Sequence, residues 1–246
     1  MDEDLFKTVE EVFNSATVSA VLELCRRKVI YELKGVISAG KESRVYWGKS
    51  FNNEDIAVKI YLTSTAEFRK SMVKYIMGDP RFKKIPKSTR KLVIMWASKE
   101  FRNLRLMYDA GITVPRPIAQ YENILVMEFL GIDGVRAPLL KEVELDVEEL
   151  RYVFKHLVDD IRRMYLYAGL VHGDLSEYNV MLYNGKPYII DVSQAVKISH
   201  PNAYDLLIRD VSNLIRYFNG LGVNTPSLES MLNYITGKGS LEDLME

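Results

Sequence analysis

One cysteine, Cys25, is all the chain has, so an internal disulfide is excluded, and with it the small stapled scaffolds of secreted domains. No uninterrupted apolar run approaches the roughly 20 residues that a membrane-crossing helix needs. Glycine and proline are few, 14 and 8 in 246 residues, which removes collagen-like and low-complexity classes. An excess of one charge is missing too. The 33 basic residues balance 33 acidic ones, so no chain-wide attraction to nucleic acid or to an anionic bilayer is built in. Apolar material is what the chain does have, 48% of its residues, enough for a packed core in one compact unit or in two lobes sharing a cleft. The opening Asp and Glu residues do not follow the basic-then-apolar order of a secretory leader. The expectation is a globular, cytoplasmic chain with no membrane partner. Its oligomeric state is not encoded in any recognisable pattern, and a monomer is the simplest expectation.

Charge is uneven in one place. Between Arg69 and Lys91 nine residues are Lys or Arg (Arg69, Lys70, Lys74, Arg81, Lys83, Lys84, Lys87, Arg90, Lys91) against one acid, Asp79. Only this stretch points to a polyanionic partner, the alternative being a solvated flexible loop.

Periodicity divides the rest. Residues 16–28 read as a helix, with Val18, Val21, Leu22 and Cys25 apolar and Arg26, Arg27 and Lys28 near its C-terminus, where cations suit the dipole. From residue 33 the pattern shortens to strands at 33–37, 44–48 and 55–61, then near Ile118 and at 124–129, which make a small antiparallel sheet. A long helix over residues 89–110 closes on Gly111. Residues 131–138 hold enough Gly and Pro to read as a linker, and the lobe boundary is placed there. Beyond it the chain reads as mostly helical, at 147–168 and 204–218, interrupted by one hairpin between Val180 and Asp191. The division is therefore an N-terminal helical extension, 1–30, a first lobe, 31–130, and a second lobe, 131–246.

Five residues carry chemistry that the pattern does not otherwise need. In the strand Ile56-Ala57-Val58-Lys59-Ile60-Tyr61, alternation sets Lys59 opposite the apolar face. By itself such a lysine reads as a snorkelling side chain. In the long helix, Leu92, Trp96, Glu100 and Leu104 share a stripe, and a carboxylate in an apolar row is costly unless a cation meets it. Pairing Lys59 with Glu100 resolves both. In His172-Gly173-Asp174-Leu175-Ser176-Glu177-Tyr178-Asn179 an acid stands five residues before a carboxamide. The Asp can take a proton from an attacking hydroxyl, and the Asn oxygen suits a hard cation; the plain alternative is a capped turn. Asn184-Gly185 is a favoured two-residue turn, and continuing its register outward sets Asn179 opposite Ile190, with Asp191 one step beyond. Turn chemistry alone thus brings two oxygen ligands to one end of a hairpin, as a Mg2+–nucleotide site requires. Pro187 threatens this by demanding an edge position or a bulge. The turn Ser38-Ala39-Gly40-Lys41-Glu42-Ser43 is a weak phosphate-loop candidate, also readable as an ordinary hairpin; its amides and the hydroxyls of Ser38 and Ser43 suit phosphate oxygens.

Lys59, Glu100, His172-x-Asp174, Asn179 and Asp191 follow the order of the protein-kinase signature. The strings Val171–Asn179 and Ile189-Ile190-Asp191-Val192-Ser193-Gln194-Ala195, with Gly40-Lys41-Glu42-Ser43, resemble the RIO family of atypical serine/threonine kinases, in particular its type-one members of archaea and eukaryotes, over roughly residues 30–220. The resemblance implies an α+β, two-lobed, minimal protein-kinase-like fold: an antiparallel sheet with a long helix, then a mostly helical lobe with a metal-site hairpin, preceded by an extra helix. It implies that ATP and Mg2+ (or Mn2+) are used. Asp174 would orient or deprotonate the acceptor, Asn179 and Asp191 would hold the metal, and Lys59, steadied by Glu100, would contact phosphates under the turn of Ser38, Gly40, Lys41 and Ser43. Adenine would meet the main chain of Glu128 and Leu130, with Met127 behind it. Asp210 resembles the buried acid that supports the catalytic loop. The family also implies an ATPase-like switch in which Asp191 accepts phosphate, a protein acceptor that includes the chain itself, and a role in small ribosomal subunit maturation; the basic stretch then suits rRNA phosphates, and Ser88 and Thr89, hydroxyls beside it at the start of the long helix, are candidate self-phosphorylation sites.

Departures from ordinary protein kinases matter. Gly173 replaces the catalytic-loop Arg, Ser176 replaces a Lys, and about a dozen residues separate Asp191 from the next helix, too few for a peptide platform. Two alternatives stand beside the kinase reading. One is a small-molecule phosphotransferase of the aminoglycoside or choline kinase type, which shares the His-Gly-Asp loop. The other is a non-catalytic, ATP-gated assembly factor.

Overall fold

The structure, a computed structural model, describes residues 14–62, 66–82 and 84–240. The acidic opening residues and Lys83 lie outside them. Two compact units emerge. One takes the chain through Lys74 together with Lys84–Arg102 and Pro115–Arg136; the other takes Tyr75–Lys83, Asn103–Val114 and the chain from Ala137 onward. The first unit contains most of what was read as the first lobe, but two internal pieces of that stretch group with the second.

The first unit is built on five antiparallel strands, β1 (Glu32–Ala39), β2 (Ser43–Lys49), β3 (Asp55–Tyr61), β4 (Pro117–Tyr121) and β5 (Ile124–Glu128), ordered β1-β2-β3-β5-β4. Central β3 pairs Lys59 with Val45 on one side and with Leu125 on the other. Its Ile56, Val58 and Ile60 enter a core with Tyr46, Ile124 and Val126. Helix α1 (Ser15–Arg26) adds Ala20 and Leu24 to that core, and Asn14 Oδ1 caps it by accepting from Thr17 N–H at 2.9 Å. Its buried stripe runs through Thr17, Ala20 and Leu24, leaving Val18 and Leu22 exposed. Val21 and Cys25 of the expected apolar face pack half-buried against the same core, so the helix is turned only part of the way from that face, toward Thr17 and Ala20, whose small side chains let it lie close to the sheet.

Residues 131–138, read as a linker, contain a hairpin instead. β6 (Gly131–Ile132) and β7 (Val135–Arg136) pair across Asp133 and Gly134, both at positive φ. Two turn-forming residues between short β-prone pairs are a hairpin signal, and the Gly content reflects the turn. The basic stretch also differs from a loop. It begins inside helix α2 (Ala66–Ile76), which buries Met72, Tyr75 and Ile76 while Lys70 and Lys74 face solvent, and it ends inside helix α3 (Thr89–Asp109). An amphipathic stripe was present under the charges.

In the second unit α4 (Val147–Arg163), α5 (Ala203–Gly220) and α6 (Leu228–Ile235) pack around Leu157, Leu214, Phe218 and Ile235, with the Phe154 and Phe218 rings 5.2 Å apart. Asp146 closes a capping box with Glu149 at the start of α4, and the helix ends in a π-turn, Met164–Ala168, stopped by Gly169 at φ 63°. Strand β8 (Leu170–Val171) pairs with β11 (Val196–Lys197), and β9 (Val180–Tyr183) with β10 (Lys186–Ile189). Pro187 causes no slip. It lies opposite Leu182, one step from the closing Tyr183–Lys186 pair, and a non-hydrogen-bonded position there needs no N–H from proline. Leu182 N–H points outward accordingly, to Pro138 O at 2.9 Å. Among the described residues no helix is long and apolar enough to cross a membrane.

Candidate active site

Lys59 and Glu100 meet in the first unit. Lys59 Nζ lies 2.8 Å from Glu100 Oε1, both side chains are buried, and the Tyr61 hydroxyl donates to the second oxygen, Glu100 Oε2. The stripe Leu92, Trp96, Glu100 and Leu104 is buried throughout, so the carboxylate sits in apolar surroundings. An ion pair in such a place needs its remaining valences filled, and Tyr61, two residues beyond Lys59 on the same strand face, does so. The candidate phosphate turn is tight: Gly40 N–H donates to Ser43 O at 3.0 Å, and the Arg44 guanidinium donates to Gly40 O. Ser38, Gly40 and Lys41 are exposed and Ser43 is half-buried. Met127 lies at the end of β5 opposite Ala57, and Glu128 exchanges bonds with Arg116, its N–H to Arg116 O at 2.9 Å and its Oε2 from Arg116 N–H at 3.0 Å. Leu130 is buried just past the strand.

The second unit assembles the remaining residues. The register read from Asn184-Gly185 holds to its end, with Ile190 N–H donating to Asn179 O at 2.9 Å. Asn179 Nδ2 donates to Asp174 O at 2.8 Å, which turns its Oδ1 away from the catalytic loop. Asp191 stands in the left-handed region at φ 54°, ψ 61°, with its carboxylate exposed and Oδ1 accepting from Ser193 Oγ at 3.0 Å. Asn179 Oδ1 and the Asp191 carboxylate are hard oxygen donors. A pair of them suits Mg2+ that keeps waters and substrate phosphates in its other positions. Among the described residues no cluster of three His, Cys, Asp or Glu could hold a metal by itself.

Asp174 is the half-exposed acid of the loop. Burial pushes its carboxyl above the usual range, with the Asp191 charge adding to the rise, while the Arg209 charge and bonds from Gln194 and Asn179 hold it down. Gln194 Nε2 donates to Asp174 Oδ2 at 3.1 Å, and Arg209 Nη2 lies 3.7 Å from Oδ1 while donating to Gly173 O. The loop is propped from beneath. Asp210 accepts from Gly173 N–H at 2.7 Å and Leu175 N–H at 2.9 Å, and Asn213 Nδ2 donates to Leu175 O at 3.1 Å. His172 joins loop to hairpin: Asp174 N–H donates to its Nδ1, so the ring proton sits on Nε2 and is donated to Ile190 O at 3.2 Å.

Tyr61, Arg209 and Asn213 were not singled out from sequence, and Gln194 only as part of the string that carries the family resemblance, with no role attached. Tyr61 carried a signal, strand alternation from Lys59. The other three reach the loop across 20 to 38 residues of chain, and no local pattern marks them. Arg209 supplies a guanidinium where Gly173 has removed the loop's own. Ser88 accepts Leu92 N–H at the head of α3 through its main-chain oxygen, and it and Thr89 lie at the surface end of that helix.

Comparison with known proteins matches residues 44–231 to the RIO domain. A RIO-type serine/threonine-protein kinase Rio1 of Haloferax volcanii is 39% identical over 236 residues, 96% of this chain and 80% of that one. The serine/threonine-protein kinase RIO1 of Caenorhabditis elegans is 40% identical over 230 residues, 93% of this chain. The chain spans less than half, 45%, of that longer protein. Among solved structures, the Rio2 kinase–ADP/Mg2+–phosphoaspartate complex of Chaetomium thermophilum aligns with a TM-score of 0.66 at 25% identity, covering 89% of this chain and 66% of that one.

Proposed function

The chain belongs to the RIO family of serine/threonine protein kinases, and from that premise we propose that it transfers the γ-phosphoryl group of ATP to a hydroxyl of a protein, its own chain included. The observation that supports this most is the convergence of Asp174, Asn179 and Asp191 on one end of the β9–β10 hairpin. In this reading Lys59, held by Glu100 and Tyr61, neutralises nucleotide phosphates, and the turn of Ser38, Gly40, Lys41 and Ser43 covers them with amides and hydroxyls. The main chain of Glu128 and Leu130 takes adenine beside Met127. Asn179 and Asp191 hold Mg2+ or Mn2+, which when bound offsets charge on the phosphate oxygens. Asp174, its carboxyl raised above the usual range by burial, aligns the acceptor hydroxyl and takes its proton as the oxygen–phosphorus bond forms and ADP leaves.

A second outcome for the same phosphoryl group is favoured by the exposed, left-handed Asp191 and by the phosphoaspartate of the Rio2 complex. An Asp191 oxygen attacks the γ-phosphorus, ADP departs, and water then hydrolyses the acyl phosphate, giving net ATP hydrolysis that times docking on a partner. We place that partner among precursors of the small ribosomal subunit in the cytoplasm, with rRNA phosphates met by exposed lysines of the basic stretch, Lys84, Lys87 and Lys91. The relatives being protein kinases disfavours an aminoglycoside or choline as acceptor.

The test is incubation with labelled ATP, Mg2+ and a generic basic protein. Wild type is expected to label the protein, and Asp174→Asn to lower the rate roughly 100-fold or more. Label that is acid-stable is a hydroxyl ester; label released by hydroxylamine is an acyl phosphate on Asp191, and Asp191→Asn abolishes it. Undiminished transfer by Asp174→Asn rejects the reading.

A further inference from the structure

Asp191 is a non-glycine residue in the left-handed region, a conformation that aspartate enters more readily than most residues and that its surroundings must still hold in place. Part of what holds it is local: the Val192–Gln194 turn closes through Ala195 N–H to Val192 O at 3.2 Å. Ser193 Oγ adds a bond to Asp191 Oδ1 at 3.0 Å, and from another element comes Asn103, a fully buried residue of α3. Its Nδ2 donates to two carbonyls of that turn, Val192 O at 2.8 Å and Ala195 O at 3.0 Å. Its Oδ1 accepts from Arg81 Nη1 at 2.7 Å. Arg81 is itself fixed, its Nε and Nη2 gripping the fully buried Asp79 carboxylate at 2.6–3.1 Å.

The chemistry of this series of hydrogen bonds admits one amide orientation. Two carbonyl oxygens on one side demand two donors, and a guanidinium on the other demands an acceptor; a carboxamide supplies both. Asp at this place would set oxygen against oxygen, and Leu would leave two buried carbonyls and a guanidinium N–H without their partner.

We infer that Asn103 is a positioning residue for the metal-ligating Asp191, and that Arg81, clamped on Asp79, sets Asn103. The inference rests on Asp191 binding a divalent ion, as proposed above. It gives the turn Asp79–Arg81, in the middle of the basic stretch, a task unrelated to polyanions: it is the far anchor of the metal loop. Partners that hydrogen-bond a metal ligand typically change metal affinity 10- to 100-fold when removed, and Asn103 acts on Asp191 through the main chain of the turn that follows it.

The experiment is a Mn2+ titration followed by electron paramagnetic resonance, on the whole chain with a non-hydrolysable ATP analogue. Wild type, Asn103→Leu and Arg81→Lys are compared. Lysine keeps a cation against Asp79 but cannot also reach Asn103 in guanidinium geometry. Mn2+ affinity is expected to fall roughly 10- to 100-fold in Asn103→Leu and about fivefold in Arg81→Lys. Affinity for the analogue without divalent ion is expected to stay unchanged, which a general loss of structure would not allow. A folded Asn103→Leu that binds Mn2+ like wild type overturns the inference. If that variant does not fold, unchanged Mn2+ affinity in Arg81→Lys overturns it equally. Wild type that binds no Mn2+ with the analogue instead removes the metal role of Asp191, and the positioning role falls with it.

Discussion

Lys59 and Glu100 are each unfavourable alone in the place they occupy, and stable as a pair. Removing one partner leaves a buried charge without its counter-ion, which typically costs about 3–5 kcal/mol, whereas replacing both with apolar groups of similar volume is often neutral. Lys59→Met is therefore expected to lower unfolding free energy by about 3 kcal/mol in urea, and the double change Lys59→Met, Glu100→Leu to recover most of it while remaining inactive. A double variant as unstable as the single one contradicts this account. Asp210 tests a second residue, through pH. Burial raises its carboxyl from the ordinary range to about 7, against the pull of the Gly173 and Leu175 amides. An acid with a raised folded pKa holds its proton more tightly in the folded chain. Its favourable contribution is complete below the unfolded value and is lost as pH climbs through about 7. The advantage of wild type over Asp210→Asn is expected to shrink by on the order of 2–3 kcal/mol between about pH 5 and about pH 8. A gap that does not move with pH shows the group to be charged throughout.

At the scale of elements, two hairpins share a turn type and differ in surroundings. Asn184-Gly185 and Asp133-Gly134 both place two consecutive residues at positive φ. A Cβ on Gly185 meets nothing within 4 Å, whereas one on Gly134 meets the Trp47 ring at 2.5 Å. Gly185→Ala is expected to cost about 1 kcal/mol from backbone strain alone, and Gly134→Ala clearly more, as judged by thermal unfolding; equal costs would mean that Trp47 moves aside freely. The hairpin at Asn184-Gly185 was legible because its register depends on two turn residues and nothing else, and Pro187 fell at a position that spends no N–H. The hairpin at Asp133-Gly134 was missed because its strands, two residues each, are too short to show alternation. Helix α2 was missed for a different reason: charge at Arg69, Lys70 and Lys74 masked the spacing of Met72, Tyr75 and Ile76.

For the whole chain, a net charge of zero means that any affinity for a polyanion must be local. Of the basic stretch, Arg81 is committed to Asp79 and Arg69 donates to Lys87 O and Pro86 O. Lys84, Lys87 and Lys91 are exposed. If rRNA is met here, replacing those three with Glu is expected to reduce the steepness of salt dependence in RNA binding by roughly 0.7 to 0.9 for each phosphate no longer neutralised. An unchanged slope places the RNA elsewhere.

What the amino-acid order determined by itself was local or periodic: the five strands, the long helix, the turn that aligns Asn179 with Ile190, and the absence of disulfides. The strand lysine and the helix acid could also be matched, since each was an anomaly that the other cancels. Tertiary structure alone decided which groups support the catalytic ones. Gln194 on Asp174 and Asn103 behind Asp191 act across 20 and 89 residues of chain, while Asp210 under the loop was marked only by the family resemblance and not by any period. Hydrogen bonds over such separations follow from how helices and loops pack, and that packing leaves no period in the sequence.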